Sequence, residues 1–185
     1  HMVESKIFPE GSFQLICGSV GDLFEHLTGQ DVVTFTGSAS TGHKLRTHPA
    51  IVRNSVRFTM EADSLNCSIL GPDAVAGTPE FDLYVKEVVR EMTTKCGQKC
   101  TAIRRAFVPR AQLAAVVDAI KARLAKVVVG DPSQEGVTMG ALASTGQRDE
   151  VRKAVAQLRG SAELVFGDPE SVKVVGGDAA KGAFL

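Results

Sequence analysis

The sequence predicts an α/β fold, a doubly wound sheet in which strands and helices alternate. Three observations predict it. Val32-Val33-Thr34-Phe35-Thr36 is a β-branched and aromatic run that passes through Gly37 to Gly42 into a helical stretch. Ser55 to Glu61 returns as a second strand-like segment. Farther on, two amphipathic helical patterns each follow a short apolar strand.

The 185 residues suffice for one domain or two small lobes with a core. Hydrophobic residues are 44% and charged residues 23%, ordinary globular values that argue against disorder. The formal net charge is zero and no basic block occurs, so no nucleic-acid partner is expected. The apolar runs are far too short for a membrane span. Cys17, Cys67, Cys96 and Cys100 are scattered, and no signal peptide precedes them, which reads as reduced thiols and a cytoplasmic setting. No second Cys/His pair accompanies Cys96 and Cys100, so no metal site is expected. His1-Met2 reads as a cloning remnant.

In order along the chain, Ser12 to Cys17 reads as a short strand and Asp22 to Leu27 as a helix capped by Asp22. Val32 to Thr36 is a buried strand. The helix after Gly42 should end near His48, helped by Pro49. After the Ser55–Glu61 strand, Leu65 to Leu70 looks like a buried strand closed by Gly71-Pro72. Phe81, Val85, Val88, Val89 and Met92 share one face, which predicts a helix from Pro79 to Thr94. Ala106-Phe107-Val108 is a strand. Leu113, Val116, Val117, Ile120 and Leu124 mark a helix from about Arg110 to Lys126. A third helix is expected over Thr145–Leu158, then a strand at Leu164-Val165-Phe166 and a surface loop from Gly167 to Gly182. The division between two parts should fall near Glu61.

Three places invite chemistry. Gly37 and Gly42 let backbone approach a ligand at a helix N-terminus, although a plain βα turn capped by Ser38 or Ser40 has the same pattern. Glu61, ending an apolar strand, is either solvated or a general base, with Asp63 as a rival on the same face if the strand continued. Cys100 sits in the connection Lys95-Cys96-Gly97-Gln98-Lys99-Cys100-Thr101-Ala102, with Lys95, Lys99 and Arg104 supplying positive charge that favours a thiolate. Cys96 is a rival thiol, packed if the preceding helix runs through it. Cys17 and Cys67, within strands, read as core.

Taken in order, Phe35-Thr36-Gly37-Ser38-Ala39-Ser40-Thr41-Gly42, then Glu61, then Gly97-Gln98-Lys99-Cys100-Thr101-Ala102 resemble the aldehyde dehydrogenase superfamily. Gly130-Asp131-Pro132 and Met139-Gly140-Ala141-Leu142 resemble a further segment of that family. The resemblance implies that Cys100 is the nucleophile, Glu61 the general base, and Gly37 and Ser38 the turn beside the phosphates of NAD or NADP. It also implies a thiohemiacetal and then a thioester on Cys100, with water activated by Glu61 releasing the carboxylic acid.

One departure is informative. Glu61-Ala62-Asp63-Ser64-Leu65-Asn66-Cys67 replaces the family's common E-L-G-G-K, and this variant resembles the CoA-linked semialdehyde dehydrogenases of phenylacetate and benzoyl-CoA degradation. That implies a small-molecule aldehyde, carried as a CoA thioester, with NADP favoured over NAD. The family's members are longer, so the chain is expected to be an internal fragment. Residues 3–61 would then be the C-terminal half of the NAD(P)-binding domain, a partial doubly wound sheet, and 62–185 the N-terminal part of the catalytic domain. The fragment is expected to be inactive alone and its parent to be a homo-oligomer. A CoA-acylating relative and a non-catalytic module with oligomer contacts are the alternatives.

Overall fold

The computed structural model describes residues 1 and 4–185. The chain forms two compact units, His1–Asp63 and Ser64–Leu185. Both are α/β, and among the described residues every strand pair is parallel, as βα alternation requires.

In the first unit, strand β1 (Val32–Gly37) leads through Ser38 into helix α1 (Ala39–Arg46), followed by α2 (Pro49–Arg53) and β2 (Arg57–Ala62). β1 and β2 pair in register from Val32↔Arg57 to Gly37↔Ala62. Ala50, Ile51 and Val56 are buried. Gly42 is buried because α1 lies close over the sheet: a Cβ there would overlap Met60 Sδ. Pro49 does not merely end α1. It occupies the first turn of α2, where its missing N–H costs nothing, and His48 caps that helix by accepting from Ala50 N at 3.3 Å. The predicted strand over Ser12–Cys17 is absent, since that segment pairs with no strand among the described residues. The helix after Asp22 is a single 3-10 turn, Leu23–His26, and the Asp22 side chain makes no cap bond.

In the second unit, β3 (Cys67–Ile69) pairs with β4 (Arg105–Phe107), and α3 (Pro79–Thr93) packs on α4 (Leu113–Leu124). Thr78 caps α3 by accepting from Phe81 N. Phe81, Tyr84, Val85 and Val88 form a core with Leu70, Ala74 and Val116. Tyr84 was not among the predicted face residues. Its ring fills the core while its hydroxyl donates to Phe107 O at 3.3 Å, tying α3 to β4. Met92 turns outward, 45% exposed. β3 and β4 are not buried strands, because Ile69 is 71% exposed and Phe107 half exposed. Cys67 and Cys17 are exposed rather than core, the first on this open ribbon and the second in the unpaired segment.

Helix α5 spans Thr145–Leu158, with Ser144 accepting from Gln147 N at its start. The expected strand at Leu164-Val165-Phe166 pairs with no strand among the described residues and does not form. Within the expected loop, β6 (Val174–Val175) instead pairs with β5 (Val129–Gly130). Gly130 permits that pairing, since a Cβ there would overlap the Val175 carbonyl. Among the described residues no helix is long and apolar enough to cross a membrane.

Candidate active site

Gly37, Ser38 and Glu61 come together in the first unit. β1 delivers Gly37 and Ser38 to the N-terminus of α1, and the register sets Thr36 beside Glu61 and Gly37 beside Ala62. Ser38 Oγ accepts from Thr41 N at 3.2 Å and also bonds the hydroxyls of Ser40 and Thr41. The local capping that the sequence allows is therefore present, and it leaves a cluster of three hydroxyls at a helix N-terminus. That donor set suits an anionic group such as a phosphate. Glu61 is exposed near the end of β2.

Asp63 does not share a face with Glu61. The strand stops at Ala62, and Asp63 turns into the left-handed region at φ 57°. Its N–H donates to Gly37 O at 3.0 Å, and its carboxylate accepts from Ala39 N at 3.0 Å. It closes the turn instead of rivalling Glu61, and it takes one of the N–H groups at the start of α1.

Cys100 is carried by the second unit and is exposed. Helix α3 ends at Thr93, and Lys95, Cys96 and Gly97 follow with φ of 51°, 55° and 70°. The left-handed region is strained for Lys95 and Cys96; Lys95 O accepts from Gln98 N at 3.0 Å, and Cys96 is held from outside the turn. Cys96 is thus not on the preceding helix. It is half-buried in the turn, its thiol donates to Gly140 O at 3.0 Å, and burial raises its pKa. A thiol kept protonated and engaged is a poor nucleophile. The side chain of Gln98 spans the same gap: Nε2 donates to Lys95 O, and Oε1 accepts from Ala143 N at 3.0 Å.

Around Cys100 the carbonyls are held by side chains. Arg104 donates from Nη1 to Gly97 O at 2.9 Å and from Nη2 to Lys99 O at 3.1 Å. Asn66 Nδ2 donates to Cys100 O and to Ala102 O, while Asn66 O accepts from Arg104 N and Arg105 N. Lys99 pairs with buried Glu91 at 2.7 Å, which holds the Glu91 carboxyl below its ordinary value. Sequence reading missed Asn66 and Glu91. Glu91 had a signal, for it falls three residues after Val88 on the inner face of an amphipathic helix, where a carboxylate needs a partner. Asn66 had none. Near the Gly130 segment, Asp131 Oδ1 accepts from Ser133 N at 2.9 Å, which lowers its pKa and fixes the loop.

Residues 1–183 match the aldehyde dehydrogenase family. A protein of Aromatoleum evansii, 3,4-dehydroadipyl-CoA semialdehyde dehydrogenase, is 50% identical over 184 residues, a match covering 100% of this chain and 36% of that protein. A probable aldehyde dehydrogenase of Pseudomonas sp is 32% identical over 155 residues, covering 82% of this chain and 30% of the relative. Among solved structures, a mutant of aldehyde dehydrogenase C from Pseudomonas syringae, in complex with NAD+ and octanal, superposes with a TM-score of 0.68 at 28% identity. That superposition covers 83% of this chain and 30% of the other. A betaine aldehyde dehydrogenase from Staphylococcus aureus shares the fold at a TM-score of 0.70 and 22% identity, over 83% of this chain and 29% of that one. The chain spans about a third of the length of these relatives. With the family match running over residues 1–183 and a 50% identical relative along the same length, this chain belongs to the aldehyde dehydrogenase family.

Proposed function

We propose that this chain carries the nucleophile and general base of an NAD(P)+-dependent dehydrogenase that oxidises a CoA-linked semialdehyde to a carboxylic acid. The observation that carries the proposal is Cys100, an exposed thiol in a turn whose neighbouring carbonyls accept hydrogen bonds from Arg104 and Asn66. Its thiolate attacks the aldehyde carbon, forming a C–S bond and an oxyanion. NAD(P)+, when bound, supplies the hydride acceptor. Gly37 and Ser38, with the hydroxyls of Ser40 and Thr41, would hold its phosphates at the start of α1. Glu61 takes a proton from water, the water attacks the resulting thioester, and the C–S bond breaks to return the thiolate.

In this reading, residues 3–61 belong to the nucleotide-binding domain and 62–185 to the catalytic domain of a longer, homo-oligomeric, cytoplasmic enzyme. The substrate class and the preference for NADP+ rest on the Glu61–Cys67 variant sequence, and the 50% identical relative named for a CoA semialdehyde supports the substrate. The isolated 185-residue chain is expected to show no turnover. In the full-length protein, NADP+ reduction with a CoA-linked semialdehyde tests the roles. Cys100→Ala should abolish it. Glu61→Gln should keep the first turnover and accumulate an acyl-enzyme visible by intact mass. An unchanged deacylation rate in Glu61→Gln would remove Glu61 from the mechanism.

A further inference from the structure

We infer that Arg104 is a positioning residue that aims the backbone N–H of Cys100 at the oxyanion formed on the substrate; the inference rests on Cys100 being the nucleophile. All peptide bonds described are trans, so the Lys99 carbonyl and the Cys100 N–H point in opposite directions from one rigid plane. Whatever holds the carbonyl therefore sets the direction of the N–H. Lys99 O accepts from Arg104 Nη2 at 3.1 Å and from Ala102 N at 3.1 Å. The other arm of the guanidinium reaches Gly97 O at 2.9 Å, so one planar fork spans two carbonyls of the turn. Arg104 is itself fixed by its own N–H, which donates to Asn66 O at 2.9 Å. The Cys100 N–H donates to no group among the described residues, and it lies on an exposed residue. A donor held in place before reaction costs no reorganisation when charge develops on the oxygen. Rotating this peptide would remove that donor while leaving the thiol where it is.

The test uses the full-length protein as wild type, Arg104→Gln, Arg104→Lys and Cys100→Ala. Two rates are read on each: first-turnover oxidation of a CoA-linked semialdehyde, and alkylation of Cys100 by iodoacetamide, followed by peptide mass mapping. Alkylation forms a C–S bond at a tetrahedral carbon and expels iodide, so it develops no oxyanion and does not use the N–H. Arg104→Gln should slow the first turnover on the order of 10–100-fold, with alkylation nearly unchanged. Arg104→Lys keeps the charge but lacks the fork, and should fall between wild type and Arg104→Gln. If Arg104→Gln does not fold, Arg104→Lys carries the same comparison. Equal loss in both rates would mean that Arg104 only maintains the turn, and would overturn the inference. So would an unchanged first turnover. Failure of the underlying assignment looks different, because Cys100→Ala would then still oxidise the aldehyde.

Discussion

At the Gly37–Ser38 turn the helix cap closes within three residues, Ser38 to Thr41, and among the described residues only Asp63 reaches in from afar, joining β2 to β1 and α1. The Lys95–Ala102 turn has bonds of its own, from Gln98 to Lys95 O and from Ala102 N to Lys99 O, but several groups outside it hold it as well. Asn66 comes from the segment before β3, Glu91 from α3, Arg104 from the residue before β4, and the carbonyl of Gly140 from a loop more than 40 residues on. The difference follows from backbone geometry. A β-strand entering a helix through an extended serine caps Thr41 N locally. Two non-glycine residues with positive φ cost free energy; Gln98 returns part of it locally by bonding Lys95 O, and Gly140, remote in the chain, accepts from the Cys96 thiol. A turn built locally tolerates changes elsewhere, whereas a turn built by distant groups is coupled to each of them.

Three perturbations probe that contrast. Asn66→Ala should have the largest effect. It removes two side-chain bonds to the Cys100 turn, costing about 1–3 kcal/mol at the usual worth of each. Hydrogen exchange should rise across residues 99–105 and stay unchanged over β1 and α1; protection that stays level at 99–105 would show that the turn stands without Asn66. In the first unit, Gly42→Ala gains up to about 1 kcal/mol in helix propensity. It also meets Met60 Sδ, and overpacking costs about 1–3 kcal/mol, so a net loss of up to about 2 kcal/mol is expected in thermal unfolding. Equal or higher stability would mean that Met60 moves aside and that α1 is not seated by its glycine.

The smallest change is one of slope. The Lys99 ammonium, followed by Arg90, holds the folded-state pKa of Glu91 below its ordinary 4.5. Its contribution to stability is therefore complete above that ordinary value and is lost as pH falls through the lower, folded one. The stability difference between wild type and Glu91→Gln should narrow as pH is lowered into that range. A difference that stays constant with pH would show that the carboxylate charge is not what holds Lys99 beside the turn.

Much of the fold was legible where periodicity is strong. Helix α5 begins at Thr145 and ends at Leu158 as expected, and α3 differs by one residue at its end. The failures lie where an element depends on a partner. Ser12–Cys17 and Leu164–Phe166 have strand-like residues, but a strand exists only when another strand takes its hydrogen bonds. Val174–Val175, set among glycine and aspartate, became a strand because Gly130 lets its carbonyl approach. The end of β2 is similar. Nothing in the order of residues shows that Asp63 turns left-handed and reaches back to Ala39.

Residue order alone set the α/β alternation, the serine cap at the start of α1, and the presence of Cys100 in a glycine turn. Each depends on neighbours within a few positions, and propensity acts at that range. The tertiary structure decided which thiol is free. Cys96 is half-buried with its thiol bonded to Gly140, whereas Cys100 is exposed between carbonyls that Arg104 and Asn66 hold. The two cysteines are four residues apart with similar charges around them. What separates them is desolvation and hydrogen bonding by groups remote in the chain, which only the folded chain brings to the same turn.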